Sequence, residues 1–266
     1  MQTDLKSQSR MTQKLSYQLV DYHVHSLFSA DGRSSIEELC ESAVRIGLSE
    51  IGFAEHLDFG SEGVLLDYEK YTSTIEKVKE KFEGILTIRK GVEVDYQTRY
   101  LDEITQWLKE RDFEFTIGSV HFVNGKPIDL GILDPGTLAS LYPSYCHEVI
   151  LSIKSGLFNI IGHFDLISLF TKLSKDVKKI HVPMVLEELL NSDVHLEINS
   201  RGFREGRNET IPGTEILQDY FRLGGSRVSM GSDAHSANAV GSGVRESFEL
   251  VIGMKPTLLQ LPFTMR

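Results

Sequence analysis

Cysteine is scarce in this chain. Cys40 and Cys146 are the only two in 266 residues. Both lie in segments that read as helix, without paired spacing. This excludes a disulfide-stapled scaffold and fits two reduced thiols in a cytoplasmic protein. No apolar run approaches the ~20 residues that a bilayer-spanning helix requires. Residues 1–16 are polar and lack the apolar centre of a secretion signal. They are expected to form a polar extension, with Met11 as an alternative start, ahead of one domain over 17–266. Cations are also in deficit, with 28 Lys and Arg against 38 Asp and Glu and a formal net charge of −10. Such a surface repels nucleic-acid phosphates, so neither nucleic acid nor membrane is an expected partner. A small phosphorylated substrate is still compatible with this charge, because bound cations would dominate the field at a site. The chain has no Pro/Gly/Ser-rich linker and no low-complexity tract. At 41% hydrophobic it can build a sizeable core.

Short apolar runs alternate with longer amphipathic segments. The spacing predicts strands over 19–24, 50–54, 86–94, 113–120, 159–162, 194–198 and 227–230. It predicts helices over 34–46, 67–82, 101–111, 137–154, 182–191, 214–223 and 244–252. The first helix opens on serines followed by Glu37 and Glu38 and stops at Gly47, an N-cap pattern with a glycine stop. Seven strand-then-helix units argue for one α/β domain with a largely parallel sheet. An open nucleotide-binding sheet would want a glycine-rich turn after the first strand. The chain has His-Ser-Leu-Phe-Ser-Ala-Asp-Gly there, which favours a closed barrel.

Polar residues recur at the ends of the predicted strands. The first ends Asp21-Tyr22-His23-Val24-His25, the second Ala54-Glu55-His56 and the third Glu93-Val94-Asp95. The fourth ends Ser119-Val120-His121, the fifth Gly162-His163-Phe164-Asp165 and the last Ser232-Asp233-Ala234-His235. Side chains alternate along a strand, so His23 and His25 share a side and can grip one ion. In TIM-type barrels the C-terminal strand ends face the active site. Imidazole with carboxylate suits Zn, Mn and Fe alike. Any one of these histidines alone would read as an ordinary structural residue, which is the reading that His147, His181 and His195 receive. For the other six to gather at one barrel face by coincidence would bury unpaired polar groups, which is costly.

Taken in order, these motifs resemble those of the polymerase and histidinol phosphatase (PHP) superfamily, over nearly the whole chain after residue 18. Ser119 to Asp129 and Leu196-Glu197-Ile198-Asn199-Ser200 are most similar to its histidinol-phosphatase branch. The resemblance implies a distorted seven-stranded (β/α) TIM-like barrel holding three divalent metal ions. It implies that His23, His25, Glu93 and Asp233 hold one ion. Glu93, as a bridge, with His121 and His163 would hold a second, and Asp31, His56 and His235 a third. Asp31 enters through the resemblance alone, and a plain turn residue in Asp31-Gly32 is its competing reading. Metal coordination would make a bound water acidic enough to supply hydroxide near neutral pH, poised between two ions for in-line attack on phosphorus.

A phosphate monoester also calls for fixed cationic donors. Arg201, Arg204 and Arg207 cluster after the sixth strand, and Arg204 best matches the branch's phosphate arginine. Solvent-facing charge is the competing reading for Arg201 and Arg207. Relatives usually carry a basic pair after Gly-His-x-Asp-Leu-Ile, whereas Ser168-Leu169-Phe170 intervene here before Lys172. Asp165 and Asp129 are the expected acceptors for a substrate amine or imidazole. The implied activity is hydrolysis of L-histidinol phosphate to L-histidinol and phosphate, in histidine biosynthesis. The alternative substrates are another small phosphate monoester or a nucleotide. A scaffold unit for a polymerase or nuclease, and a non-catalytic metal module, are further rivals. The acidic charge and the size of the ligand set argue against both. The sequence leaves the oligomeric state open.

Overall fold

The computed structural model describes residues 18–60 and 65–255. The extension expected over 1–16 lies outside the described residues. The strands of the main sheet are β1 (Val20–Val24), β2 (Glu50–Leu57), β3 (Thr87–Asp95), β4 (Phe115–Ser119), β7 (Ile160–Ile161), β8 (His195–Asn199) and β9 (Val228–Gly231). They form one seven-stranded sheet in chain order, and every pairing is parallel. The short strands β5 (Phe122–Val123) and β6 (Lys126–Pro127) make a separate antiparallel hairpin. The α-helices among the described residues are α1 (Ile36–Ile46), α2 (Tyr68–Lys81), α3 (Leu101–Lys109), α4 (Pro135–Ser155), α5 (Lys175–Leu190), α6 (Arg201–Arg204), α7 (Thr214–Arg222) and α8 (Val244–Met254). This is the α/β TIM-like barrel that the sequence predicts.

Among the described residues, a bridge at the C-terminal strand ends closes the barrel. Val24 bridges Ala234 in parallel, with His25 N donating to Ala234 O at 2.8 Å and Ala234 N to His23 O at 3.3 Å. That seam places the histidine pair of β1 directly beside the loop carrying Asp233 and His235. The register of β1 against β2 shifts between Asp21 and Val24, and β7 is only two residues long. Both irregularities distort the barrel.

Local chemistry accounts for the elements. Helix α1 has a full capping box, with Glu38 N donating to Ser35 Oγ at 3.3 Å and Ser35 N to Glu38 Oε2 at 2.8 Å. It ends on Gly47 at φ +80°, a left-handed conformation open to glycine without strain. Leu39, Cys40 and Ala43 on its inner face are fully buried. Helix α5 begins at Lys175 rather than near 182, because Ser174 caps it through Val177 N at 3.2 Å. The lysines of its first turns carry little apolar signal, and Pro183 sits inside the helix instead of opening it. Phe53, Val92, Ile117, Ile160 and Leu196, from successive strands, are at most 1% exposed and continue the core from strand to strand.

Candidate metal centre

Strand register sets the site. His56 pairs with Glu93, Asp95 with Ser119, and Asn199 with Gly231. The C-terminal strand ends therefore stand level, and the polar residues spaced two apart along them converge at one mouth. Among the described residues, three groups of side chains have ligand atoms close enough to share an ion: His23, His25 and Glu93; Glu93, His121 and His163; and His25, His56 and His235.

Glu93 is the centre of this arrangement. Its Oε1 lies 3.2 Å from His23 Nε2 and 3.0 Å from His163 Nε2, and its Oε2 lies 3.0 Å from His56 Nδ1 and 3.5 Å from His25 Nε2. His121 Nε2 stands 3.8 Å from Oε1 and 3.1 Å from His163 Nε2. Asp233 Oδ1 is 3.6 Å from His25 Nε2 and 4.0 Å from His23 Nε2. Asp31 is 60% exposed, yet its Oδ2 is 3.0 Å from His235 Nε2 and its Oδ1 3.6 Å from His56 Nε2. The nine residues expected as ligands thus meet at one place. His147, His181 and His195 belong to none of the three groups.

Burial alone would push the Glu93 carboxyl up. The nearby imidazoles of His23, His163 and His56 outweigh that and hold it well below the ordinary carboxylate range. Asp233 is likewise held low, with His23, His25 and His163 outweighing its burial. Burial, reinforced by His56 and His235, pushes His25 well below the ordinary imidazole value and keeps it neutral. Burial would lower His23 and His56 too, yet Glu197 and Glu93 raise His23, and Asp31 and Glu93 raise His56, well above the ordinary imidazole value. A cation bound among these carboxylates would take the place of those protons.

The unpartnered atoms test that fit. His23 Nε2, His25 Nε2 and Glu93 Oε2 are buried without a hydrogen-bond partner. Buried polar atoms are nearly always satisfied, and leaving one unmade costs about 1–3 kcal/mol. These atoms are aimed at one another across the mouth, as ligands to a shared cation would be.

Side chains behind the mouth hold it in shape, and most of them carried no assignment from sequence. Asp21 accepts from Ser232 N at 2.8 Å, Ser232 Oγ at 2.5 Å and Gly241 N at 2.9 Å, fixing the loop that carries Asp233. Glu55 accepts from the hydroxyls of Ser26 and Ser29, each at 2.6 Å. Ser29 Oγ in turn stands 3.3 Å from His25 Nδ1. Ser119 Oγ donates to Glu93 Oε1 at 2.5 Å. Asp95 accepts from His121 N at 3.0 Å, and its burial pushes the carboxyl up to about 6 against the pull of that hydrogen bond. Asp58, just past β2, carries a buried Oδ1 without a hydrogen-bond partner. Glu197 accepts from His163 N at 2.6 Å and meets His23 Nδ1 at 2.6 Å. An acid set between Leu196 and Ile198 in a strand was the signal available for it.

The expected substrate contacts divide. Asp165 differs from the free acceptor anticipated. It is 1% exposed, and its oxygens are taken by Tyr142 OH and Lys178 Nζ, each at 2.6 Å. Asp129 is half-buried and near enough to act electrostatically on both Asp95 and His121. Arg204 directs Nη1 to Ser232 O at 2.5 Å and Nη2 to Asp233 O at 3.0 Å, bracing the Asp233 loop. Arg201 Nη1 reaches Asp233 Oδ2 at 3.4 Å. Arg207 is turned away, donating to Ser168 O and Leu169 O.

The sequence profile of the PHP domain matches residues 21–201. A histidinol-phosphatase of Lactococcus lactis subsp. lactis is 29% identical over 235 residues, covering 82% of this chain and 84% of its own. A probable histidinol-phosphatase of Deinococcus radiodurans is 28% identical over 233 residues, covering 84% and 88%. Among solved structures, histidinol phosphate phosphatase of Lactococcus lactis complexed with zinc, L-histidinol and phosphate superposes with a TM-score of 0.80 at 26% identity, over 90% of this chain and 94% of that one. A putative histidinol phosphatase of Listeria monocytogenes has the same fold, with a TM-score of 0.74 at 24% identity over 85% and 99%.

Proposed function

The chain belongs to the PHP domain family, and from that premise we propose that it is a metal-dependent phosphatase hydrolysing L-histidinol phosphate to L-histidinol and phosphate. The observation that carries this reading is the convergence of buried, unpartnered imidazole and carboxylate atoms on Glu93. The names of the relatives, and the zinc, histidinol and phosphate held by the Lactococcus lactis structure, support it.

His23, His25, Glu93 and Asp233 would hold one ion, Glu93, His121 and His163 a second, and Asp31, His56 and His235 a third, with His25 beside it. Zinc is the first choice, and manganese and iron suit the same donors. Divalent ions bound there would supply Lewis acidity and lower the pKa of a water available to a phosphoryl group. Glu93 and Asp233 contribute fixed negative charge that draws the cations together. Arg201 and Arg204, on the Asp233 side, are the donors nearest an incoming phosphoryl oxygen. Asp58 and Asp129 are both near enough to His121 to interact with it electrostatically, and would accept from a cationic leaving group. Substrate then lies with phosphate toward the arginines and amine toward the aspartates. The unit doing this spans 17–266. Among the described residues no helix is long and apolar enough to cross a membrane, and Cys40 and Cys146 are free and buried. Both features fit a cytoplasmic enzyme.

Phosphate release by the zinc-loaded protein tests this. kcat/KM for L-histidinol phosphate is expected to exceed that for an aryl phosphate by about 10² or more, because the selective groups are polar and partly buried. Equal efficiency on both would leave only a general phosphoesterase, with nucleotides and other monoesters next to be assayed.

A further inference from the structure

Strand β8 carries an acid where its neighbours Leu196 and Ile198 are fully buried, and Glu197 itself is only 1% exposed. A carboxylate there needs partners, since an unpaired buried charge is far costlier than a neutral polar group. It has them on both oxygens. Oε1 meets His23 Nδ1 at 2.6 Å. Oε2 accepts from His163 N at 2.6 Å and from Asn199 Nδ2 at 3.2 Å. The neighbouring strand makes room for this contact. A Cβ on Gly231 would stand 2.2 Å from Glu197 Oε1 and 2.5 Å from His23 Cβ, so any side chain there would displace the pair.

We infer that Glu197 is the positioning residue that selects the metal-binding tautomer of His23 while holding the backbone of His163. The inference rests on the metal-centre reading above. With Oε1 accepting at Nδ1, the His23 proton sits on Nδ1 and Nε2 is left bare. Nε2 is the atom that is buried without a partner and faces Glu93 and Asp233. A carboxylate behind a ligating imidazole fixes its tautomer and orientation. Glu197 also reaches the second ion's ligands, because His163 adopts φ +25° and its N–H is held by Oε2.

The two oxygens are not equivalent, and this gives the test its direction. On the Oε2 side both donors are fixed. His163 N–H is backbone, and the Asn199 amide cannot turn over because its Oδ1 accepts from Arg201 N at 2.9 Å. In Glu197→Gln the carbonyl oxygen must therefore stay on that side, and the NH2 faces His23 Nδ1. His23 can then only accept at Nδ1 and must carry its proton on Nε2, where the ion would bind. Glu197→Gln, nearly isosteric, should strip the His23 ion and spare the His163 loop. Glu197→Ala should weaken both.

The experiment combines zinc affinity by chelator competition with ring ¹⁵N spectra of the zinc-loaded wild-type protein and both variants, folding being checked by circular dichroism. Wild type should show His23 protonated at Nδ1 and zinc-bound at Nε2. Glu197→Gln should lose about 10–100-fold in affinity for one ion, with the His23 proton moved to Nε2 and the His163 ring still zinc-bound. Zinc on His23 Nδ1 in the wild type overturns the inference even if no variant folds, as does wild-type zinc affinity in Glu197→Gln. Failure of the wild type to bind zinc would instead remove the metal-centre reading itself.

Discussion

Replacing Glu93 with glutamine is the sharpest perturbation of the centre. The change is nearly isosteric, so packing is kept while one negative charge is lost. Oε1 serves His23 and His163 at 3.2 and 3.0 Å, and Oε2 serves His56 and His25 at 3.0 and 3.5 Å. Each oxygen thus faces a different set of ligands. Hydrogen bonds to a charged group contribute about 1.5–3 kcal/mol each. Losing the charge at both oxygens should cost about 3–6 kcal/mol, or about 10²–10⁴ in cation affinity. The Gln amide also places an N–H donor where a cation should sit, which acts in the same direction. Zinc content after dialysis against a weak chelator, read beside single-turnover phosphate release, measures both effects. Glu93→Gln should retain at most one ion and lose nearly all turnover, whereas His121→Ala should disturb only the second site. A Glu93→Gln protein with its full complement of zinc and wild-type kcat would show that the carboxylate bridges nothing.

Arg204→Ala should lower kcat/KM by about 10²–10³ on histidinol phosphate and aryl phosphate alike, as loss of a charged donor on the phosphate side would; a fall confined to one substrate would contradict that placement. Asp165→Asn should act on stability rather than on selectivity, because its carboxylate is already paired with Lys178 and Tyr142. The expected loss is about 1–3 kcal/mol, or about 2–10 °C in Tm for a domain of this size, and an unchanged Tm with a selective loss of histidinol phosphate turnover would restore Asp165 as a substrate contact. Zinc held about 100-fold above its Kd should add about 2.7 kcal/mol per site, so calorimetry with and without EDTA should show Tm falling by at least about 5 °C on chelation; coincident transitions would count against any bound ion.

The parts of the fold legible in the sequence are those whose physics is local. Strands buried on both faces favour apolar residues, so 51–54 within β2 and 160–161 of β7 stand out as runs, and the Ser35–Glu38 box with Gly47 marks both ends of α1. Helix α5 was expected too short because its opening turns are lysine-rich and its cap is a single serine. The β5–β6 hairpin was missed because two-residue strands carry no periodicity. It nevertheless shapes the site, since Ile128 N just beyond it donates to His121 O at 2.9 Å.

The clustering of the candidate ligands was legible for a related reason. A parallel barrel brings its C-terminal strand ends to one face, so residues scattered from 23 to 235 converge without any knowledge of their contacts. That logic identifies types and places, but it does not say which partner each group has taken. His163-Phe164-Asp165 shows the limit. Spacing of two puts both polar residues at the mouth, yet Asp165 adopts φ +75° and turns back onto Tyr142 and Lys178. Lys178 lies in the first turns of α5, ahead of the helix that the sequence predicts over 182–191. Glu197 is the converse case, a carboxylate whose partners His23 and His163 lie 174 and 34 residues away. Its alternation with Leu196 and Ile198 showed that it points differently from them and gave no sign of where. A buried acid can serve as ligand, ligand-orienting group or internal anchor, and the hydrogen donors that decide among these arrive from remote segments. On the proposed reading Glu93, Glu197 and Asp165 stand in the three conditions respectively, and only their donors distinguish them.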